Sequence, residues 1–93
     1  MEVLERMAAA LRVLAHPCRL KMVELLMEQD LTVGELAEAL KIPANACSQH
    51  LNLMRAHGLL SHRRHGKEVY YQVADPSAAN VIRCIRRNEL GSC

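Results

Sequence analysis

Apolar residues recur at three- and four-residue spacings along most of the chain. Val3/Leu4, Met7, Leu11 and Leu14 form the first such stripe, in a segment from Glu2 to Ala15 rich in Ala, Leu, Met, Glu and Arg. This spacing and these good helix formers predict a first helix. His16-Pro17 interrupts it. Proline is tolerated in a first helical turn, so a second helix is predicted from Pro17 to about Glu28, with Leu20, Val23, Leu26 and Met27 on its apolar face. Gln29-Asp30-Leu31 is a short connection. Thr32 followed by Glu35 reads as a capping box that starts a helix from Val33 to Leu40. Pro43 disfavours helical geometry at Ile42, and a fourth helix follows from roughly Ala44 to His57, stopped by Gly58. Two short helices joined by a tight turn match the helix-turn-helix pattern.

After Gly58 the pattern changes to extended segments. Leu59–Arg64 and Glu68–Val73 predict two strands, the second rich in β-branched and aromatic residues, with His65-Gly66-Lys67 as the turn between them. Asp75-Pro76-Ser77 opens a last helix from about Pro76 to Asn88. Its stripe is Ala78, Ile82 and Ile85, with Val81 and Cys84 beside it, and Glu89 to Cys93 form a loose tail. The fold class is therefore mainly α with a β-hairpin, a winged helix-turn-helix. The helix-turn-helix falls at about 32–57, the wing at about 59–74, and flanking helices at about 2–15 and 76–88. With 93 residues the chain makes one domain, since two would each fall below the usual size of a self-supporting core.

Composition changes this picture in one respect. There is no Phe or Trp, and Tyr70 and Tyr71 are the only tyrosines, so the core is aliphatic. A chain this short and lean needs disulfides, a metal or a partner subunit. Four cysteines, Cys18, Cys47, Cys84 and Cys93, keep the first two options open, but they form no CxxC pair. Charged residues interrupt the N-terminal segment, so no secretory signal is expected, and no apolar run approaches the ~18 residues of a membrane span. The expected setting is cytoplasmic, with reduced thiols. No Walker-type loop, GxGxxG, HExxH or GxSxG occurs, and no nucleophile–base pair or metal triad can be assembled, so an enzyme is not expected.

Charge adds direction. Residues 1–43 hold five basic and seven acidic side chains and residues 44–93 seven basic and three acidic, giving net charges of −2 and +4. The densest basic run, Arg63, Arg64, His65 and Lys67, lies on the hairpin. On the fourth helix, Asn45, Ser48, Gln49, Asn52 and Arg55 fall within one arc of about 120°, with Cys47, His50 and Met54 opposite. A helix face serving only solubility would carry Glu and Lys; this one has no acidic residue. Asn and Gln pair bidentately with adenine, Arg with guanine, and Ser with base or phosphate. Basic residues on the wing would add phosphate contacts that position the protein. These residues predict a DNA-binding surface.

Leu14–Leu20, Leu31–Leu36, Cys47–Arg55, Gly58-Leu59-Leu60 and the Arg63-to-Tyr71 hairpin together resemble the ArsR/SmtB family of bacterial repressors, from about Leu11 to Asn88. The resemblance implies a homodimer with the first and last helices packed across the two-fold axis. It also implies a repressor that leaves a pseudo-palindromic operator when an inducer binds or oxidises it. A dimer answers the need for a staple: the Met7/Leu11 and Ile82/Ile85 stripes would be buried against a second copy. The family's third-helix thiolate site is not expected, because Thr32 and Gly34 stand at its ligand positions. Its last-helix zinc site is not expected either: Asp75 is present, but no His follows His65.

No metal site or cofactor is therefore assigned, although arsenite or another soft metal ion at cysteine thiolates is an option. Cys47 reads as core. Cys18, near Arg19 at a helix N-terminus, with Cys84 and Cys93, are the sensing residues to consider, as a soft-ion site or a reversible disulfide. His62 and His65 point to opposite strand faces and would support DNA contact; His50 and His57 read as packing residues; His16 belongs to the turn before the second helix. Two other functions stay open: a thiol or metalloid switch whose DNA contacts are secondary, and a winged helix used for protein–protein contact. An acidic face on the fourth helix or wing would favour the latter, and neither has one.

Overall fold

The computed structural model describes residues 1–89. Its helices are α1 (Glu2–Leu14), α2 (Pro17–Leu26), α3 (Val33–Leu40), α4 (Ala44–Ala56) and α5 (Pro76–Glu89); its strands are β1 (Leu31–Thr32), β2 (Leu60–His65) and β3 (Glu68–Val73). Each predicted helix is present, with ends shifted by one or two residues. The turn after α2 begins at Met27, so that helix stops short of Glu28.

Local chemistry sets the helix starts. Pro17 occupies the first turn of α2, and the His16 ring accepts from the Cys18 amide through Nδ1 at 3.1 Å, capping the helix with an imidazole. The capping box at α3 is complete: Thr32 Oγ1 accepts from the Glu35 amide at 3.1 Å, and Glu35 Oε1 accepts from the Thr32 amide at 2.9 Å. Lys41 ends α3 in the left-handed region at φ 57°, with the Ile42 amide donating back to the Ala37 carbonyl, as in a Schellman closure. Removing the cap through Thr32→Ala is expected to cost about 0.5–2 kcal/mol. A urea midpoint equal to that of the parent chain would remove the cap from this account.

The sheet holds a strand that the sequence reading missed. β1 pairs antiparallel with β3, Leu31 opposite Tyr71 and Thr32 opposite Tyr70, giving the order β1-β3-β2. Leu31, read as part of a plain connection, and the cap residue Thr32 thus tie the wing to the start of α3. β2 and β3 pair from Leu60↔Val73 to His65↔Glu68, leaving a two-residue turn. Gly66 takes positive φ there and Lys67 does not, as a hairpin turn with glycine at its first central position requires.

The core gathers Met22, Val23 and Leu26 of α2, Leu36 of α3, Cys47, Leu51 and Met54 of α4, Leu59, Leu60 and Tyr71 at the sheet, and Ala78 and Ile82 of α5. Met22, unassigned in the sequence reading, is fully buried, while Leu20 and Met27 are only half-buried. Arg86 of α5 reaches Glu24 of α2 at 3.2 Å. The Glu24 carboxyl, hydrogen-bonded by Lys21 at 2.8 Å and by Arg86, titrates below the usual carboxylate range despite some desolvation.

The flanking helices differ from the rest. Of α1 only Val13 and Leu14 are buried, while Val3 (62%), Leu4 (64%) and Leu11 (49%) are exposed. Ile85 of α5 is 44% exposed as well. Ile82, expected on the outward stripe with Ile85, instead fills the protomer's own core. Between α1 and the rest of the chain lies a groove of about 550 Å³ lined by Val3, Met7, Ala10, Leu59 and Asp75 among others.

Candidate nucleic-acid interface

α4 divides cleanly. Cys47, Leu51 and Met54 are fully buried, anchoring one side of the helix in the core. The opposite side presents Asn45, Gln49, Asn52 and Arg55 to solvent, with Ser48 half-buried. The arc predicted from helical spacing is thus the accessible one. No side chain caps the N-terminus of α4, whose first turn contains no acidic residue. That end carries free amides and a partial positive charge, suited to a phosphate. Leu53 flanks the face and is partly exposed.

The wing carries the second set. Arg64, His65 and Lys67 are exposed at and beside the hairpin turn. Arg63 is already engaged: its Nη2 donates to Asp30 Oδ2 at 3.1 Å, bracing β2 against the turn after α2. Glu68 stands opposite His65, so the tip is less purely basic than the run of cations implied. His62 is exposed as well. Its ring stacks on Tyr71, the cross-strand neighbour, at 5.4 Å with an 18° interplanar angle. Part of the positive charge of the second half also lies elsewhere. Arg86 pairs with Glu24 and Glu28, and Arg83 donates to Asn80, all on or against α5.

The other histidines and the cysteines separate by environment. His50 accepts from Arg19 Nε–H through Nδ1 at 3.1 Å, the satisfied packing role expected of it. Burial, then the neighbouring His16 and Arg19, lower its pKa. His57 is exposed at the end of α4, its Nδ1 3.0 Å from the Leu53 carbonyl oxygen, and is not a packing residue. Cys47 is fully buried, and its thiol pKa is raised by burial and then by Cys18 nearby, which makes it an inert core residue. Cys18 is half-buried at the start of α2, and Cys84 is exposed on α5. Among the described residues, the one cluster of three possible metal ligands joins Cys18 to His16 and His50 and does not include Cys84. Cys93 lies outside the described residues.

The geometry has close parallels. Residues 14–63 match a family profile described as a helix-turn-helix domain. The transcriptional repressor PagR of Bacillus anthracis is 39% identical over 83 residues, which cover 88% of this chain and 83% of that protein. Its crystal structure superposes with a TM-score of 0.81, at 38% identity, over 90% of this chain and 97% of that one. The repressor SmtB of Mycobacterium tuberculosis is 38% identical over 81 residues, 87% of this chain.

The chain belongs to the ArsR/SmtB family.

It spans 60% of the length of that mycobacterial SmtB. A homodimeric winged helix-turn-helix DNA-binding domain from Mycobacterium bovis, described as a possible ArsR-family regulator, superposes at a TM-score of 0.81 with 26% identity, covering 91% of this chain and 79% of that one. The fold is accordingly a winged helix-turn-helix, and both PagR and SmtB are named as transcriptional repressors. One residue that departs from the family's third-helix site and one that matches its last-helix site have local work in this ArsR/SmtB chain. Thr32 caps α3, and Asp75 Oδ1 accepts from the Ser77 amide at 2.9 Å at the start of α5. Among the described residues no helix is long and apolar enough to cross a membrane.

Proposed function

We propose that the chain is a cytoplasmic, homodimeric repressor that binds a pseudo-palindromic operator, laying α4 in the major groove and the wing along adjacent phosphates. The observation that carries this reading is the acid-free, solvent-facing array of Asn45, Gln49, Asn52 and Arg55 on a helix whose other side is locked into the core. A locked helix presents its polar groups at fixed spacing, as base-edge recognition needs. Arg64, His65 and Lys67 supply salt-dependent affinity without base choice. Arg63, held by Asp30, contributes less to that affinity than the free cations. The dimer rests on the exposed apolar residues of α1 and α5, which a second copy would cover. The whole chain serves this one task, with the helix-turn-helix and wing reading DNA and α1 and α5 joining the copies.

The test uses a duplex operator selected by the chain itself from a randomised pool. Gln49→Ala or Arg55→Ala is expected to relax base preference at one position per half-site, by about 1–3 kcal/mol. Replacing Arg64 and Lys67 by Ala is expected to weaken binding to all duplexes and to reduce the dependence of affinity on salt, by a log–log slope of roughly one per lost phosphate contact. Unchanged base preference in both α4 variants would remove that helix from the groove. An unchanged salt slope would remove the wing from the phosphates.

A further inference from the structure

The group of ligand-type side chains outside the DNA surface is His16, Cys18 and His50. We propose that these three residues form a binding site for a transition-metal cation of the zinc class, and that loading it alters the hold of α2 on α4. One candidate ligand atom from each lies within 4.8 Å of the others, and all three residues are half-buried. In tetrahedral zinc sites, Zn–N near 2.0 Å and Zn–S near 2.3 Å set ligand atoms about 3.3–3.6 Å apart. A contraction of about one ångström, within the reach of side-chain rotation, therefore closes the site around an ion.

The cluster is built from two separate parts of the fold. His16 caps α2 and Cys18 lies in its first turn, while His50 projects from the inner side of α4. The two imidazole rings sit 4.6 Å apart with a 54° interplanar angle. Each ring is oriented by one donor to Nδ1, the Cys18 amide for His16 and Arg19 Nε–H for His50. Two imidazoles and a thiolate suit zinc, cobalt, nickel or copper and not calcium or magnesium, which require oxygen ligands. Three protein ligands leave a fourth position open.

Loading balances simply. The Cys18 Sγ–H bond breaks, the thiolate sulfur donates a pair to the cation, and one proton leaves to solvent; each neutral imidazole donates one nitrogen lone pair. A cation that takes the Nδ1 pair of His50 displaces Arg19 Nε from it. Arg19 also donates through Nη1 to the Val13 carbonyl at 3.0 Å, at the end of α1. The site thus sits where α1, α2 and α4 are pinned together, behind the face of α4 turned to DNA. This regulatory consequence rests on the DNA-binding reading; the site itself does not. A coupling of this kind typically changes affinity by about 5–150-fold.

The test begins without DNA. Reduced, chelator-treated full chain is titrated with Co(II), followed by its thiolate-to-cobalt charge-transfer band and visible ligand-field bands, then displaced with Zn(II). One equivalent per chain is expected to bind. Cys18→Ser is expected to lose the charge-transfer band, His50→Gln to weaken binding at least tenfold, and Cys84→Ser to behave as the parent. Far-UV circular dichroism checks that each variant is folded, and His50→Gln keeps a carbonyl for Arg19. Absence of saturable binding in the parent, or a band that survives Cys18→Ser and disappears in Cys84→Ser, overturns the site. Operator affinity is then measured with and without Zn(II). A shift absent in Cys18→Ser supports the coupling, and equal affinities in the parent overturn it. A chain that binds cobalt as described but selects no DNA upholds the site and contradicts only the repressor reading.

Discussion

A Leu4→Glu, Ile85→Glu double variant is expected to sediment as a folded monomer and to bind a two-half-site operator about 10²–10⁴-fold more weakly than the parent chain. Both residues are exposed in the single chain, and neither belongs to its buried core. With Val3 and Leu11 they leave α1 and α5 carrying apolar surface exposed among the described residues. Glutamate there would place charge in the middle of a two-fold interface, where desolvation and like-charge proximity oppose association. The loss in DNA affinity follows from linkage. A dimer that has docked one half-site holds its second reading head at high local concentration over the other, and a monomer does not. The expected spacing of half-sites is about one helical turn. A dimer of parental stability, or a monomer that keeps parental affinity, would refute this assignment of the two helices.

Leu51→Ala is expected to damage the protomer's own fold severely, costing about 2–5 kcal/mol of folding stability. Leu51 is fully buried on the inner face of α4, with Cys47 and Met54 on the same face, in a core with no large aromatic side chain apart from Tyr71. Domains of this size have total stabilities of roughly 5–15 kcal/mol, so the variant sits near its unfolding threshold. For a chain of this length each kcal/mol lowers Tm by about 4–8 °C, a shift read by calorimetry at fixed protein concentration, because dimerisation itself contributes to Tm. An exposed-face change such as Asn52→Ala is expected to leave Tm within a few degrees. Equal losses from both substitutions would contradict the division of α4 into a packed face and a free one.

That division was legible in the sequence because a helix converts residue spacing directly into direction. Cys47, Leu51 and Met54 against Asn45, Gln49, Asn52 and Arg55 needs only the helical period. The capping box at Thr32 and Glu35 was legible for the same reason, since both partners lie within four residues. β1 was not, because two residues are too few to express an alternating pattern, and its pairing with Tyr70 and Tyr71 spans almost forty positions. The engagement of Arg63 by Asp30, 33 positions away, was hidden by the same long range, whereas the stacking of His62 on Tyr71 depends on the register of the hairpin. The basic run on the hairpin was visible as composition, but which cations remain free depends on partners that sequence order does not bring together. Ile82 marks the limit of a helical stripe as a guide: the stripe identified an apolar face, not which of its members would be covered by the chain's own core. The His16–Cys18–His50 cluster is the clearest case, since His50 enters from a helix more than thirty residues away.

On the proposed reading, α4 and the wing let a dimer read a two-fold-symmetric DNA sequence. That reading is tested most directly by selection of duplexes from a randomised pool by the purified chain, followed by sequencing of the bound fraction. Enrichment of an inverted repeat is expected, with half-site centres about one helical turn, roughly ten base pairs, apart. A bound fraction with no enriched sequence, or a single unrepeated motif, would contradict the reading.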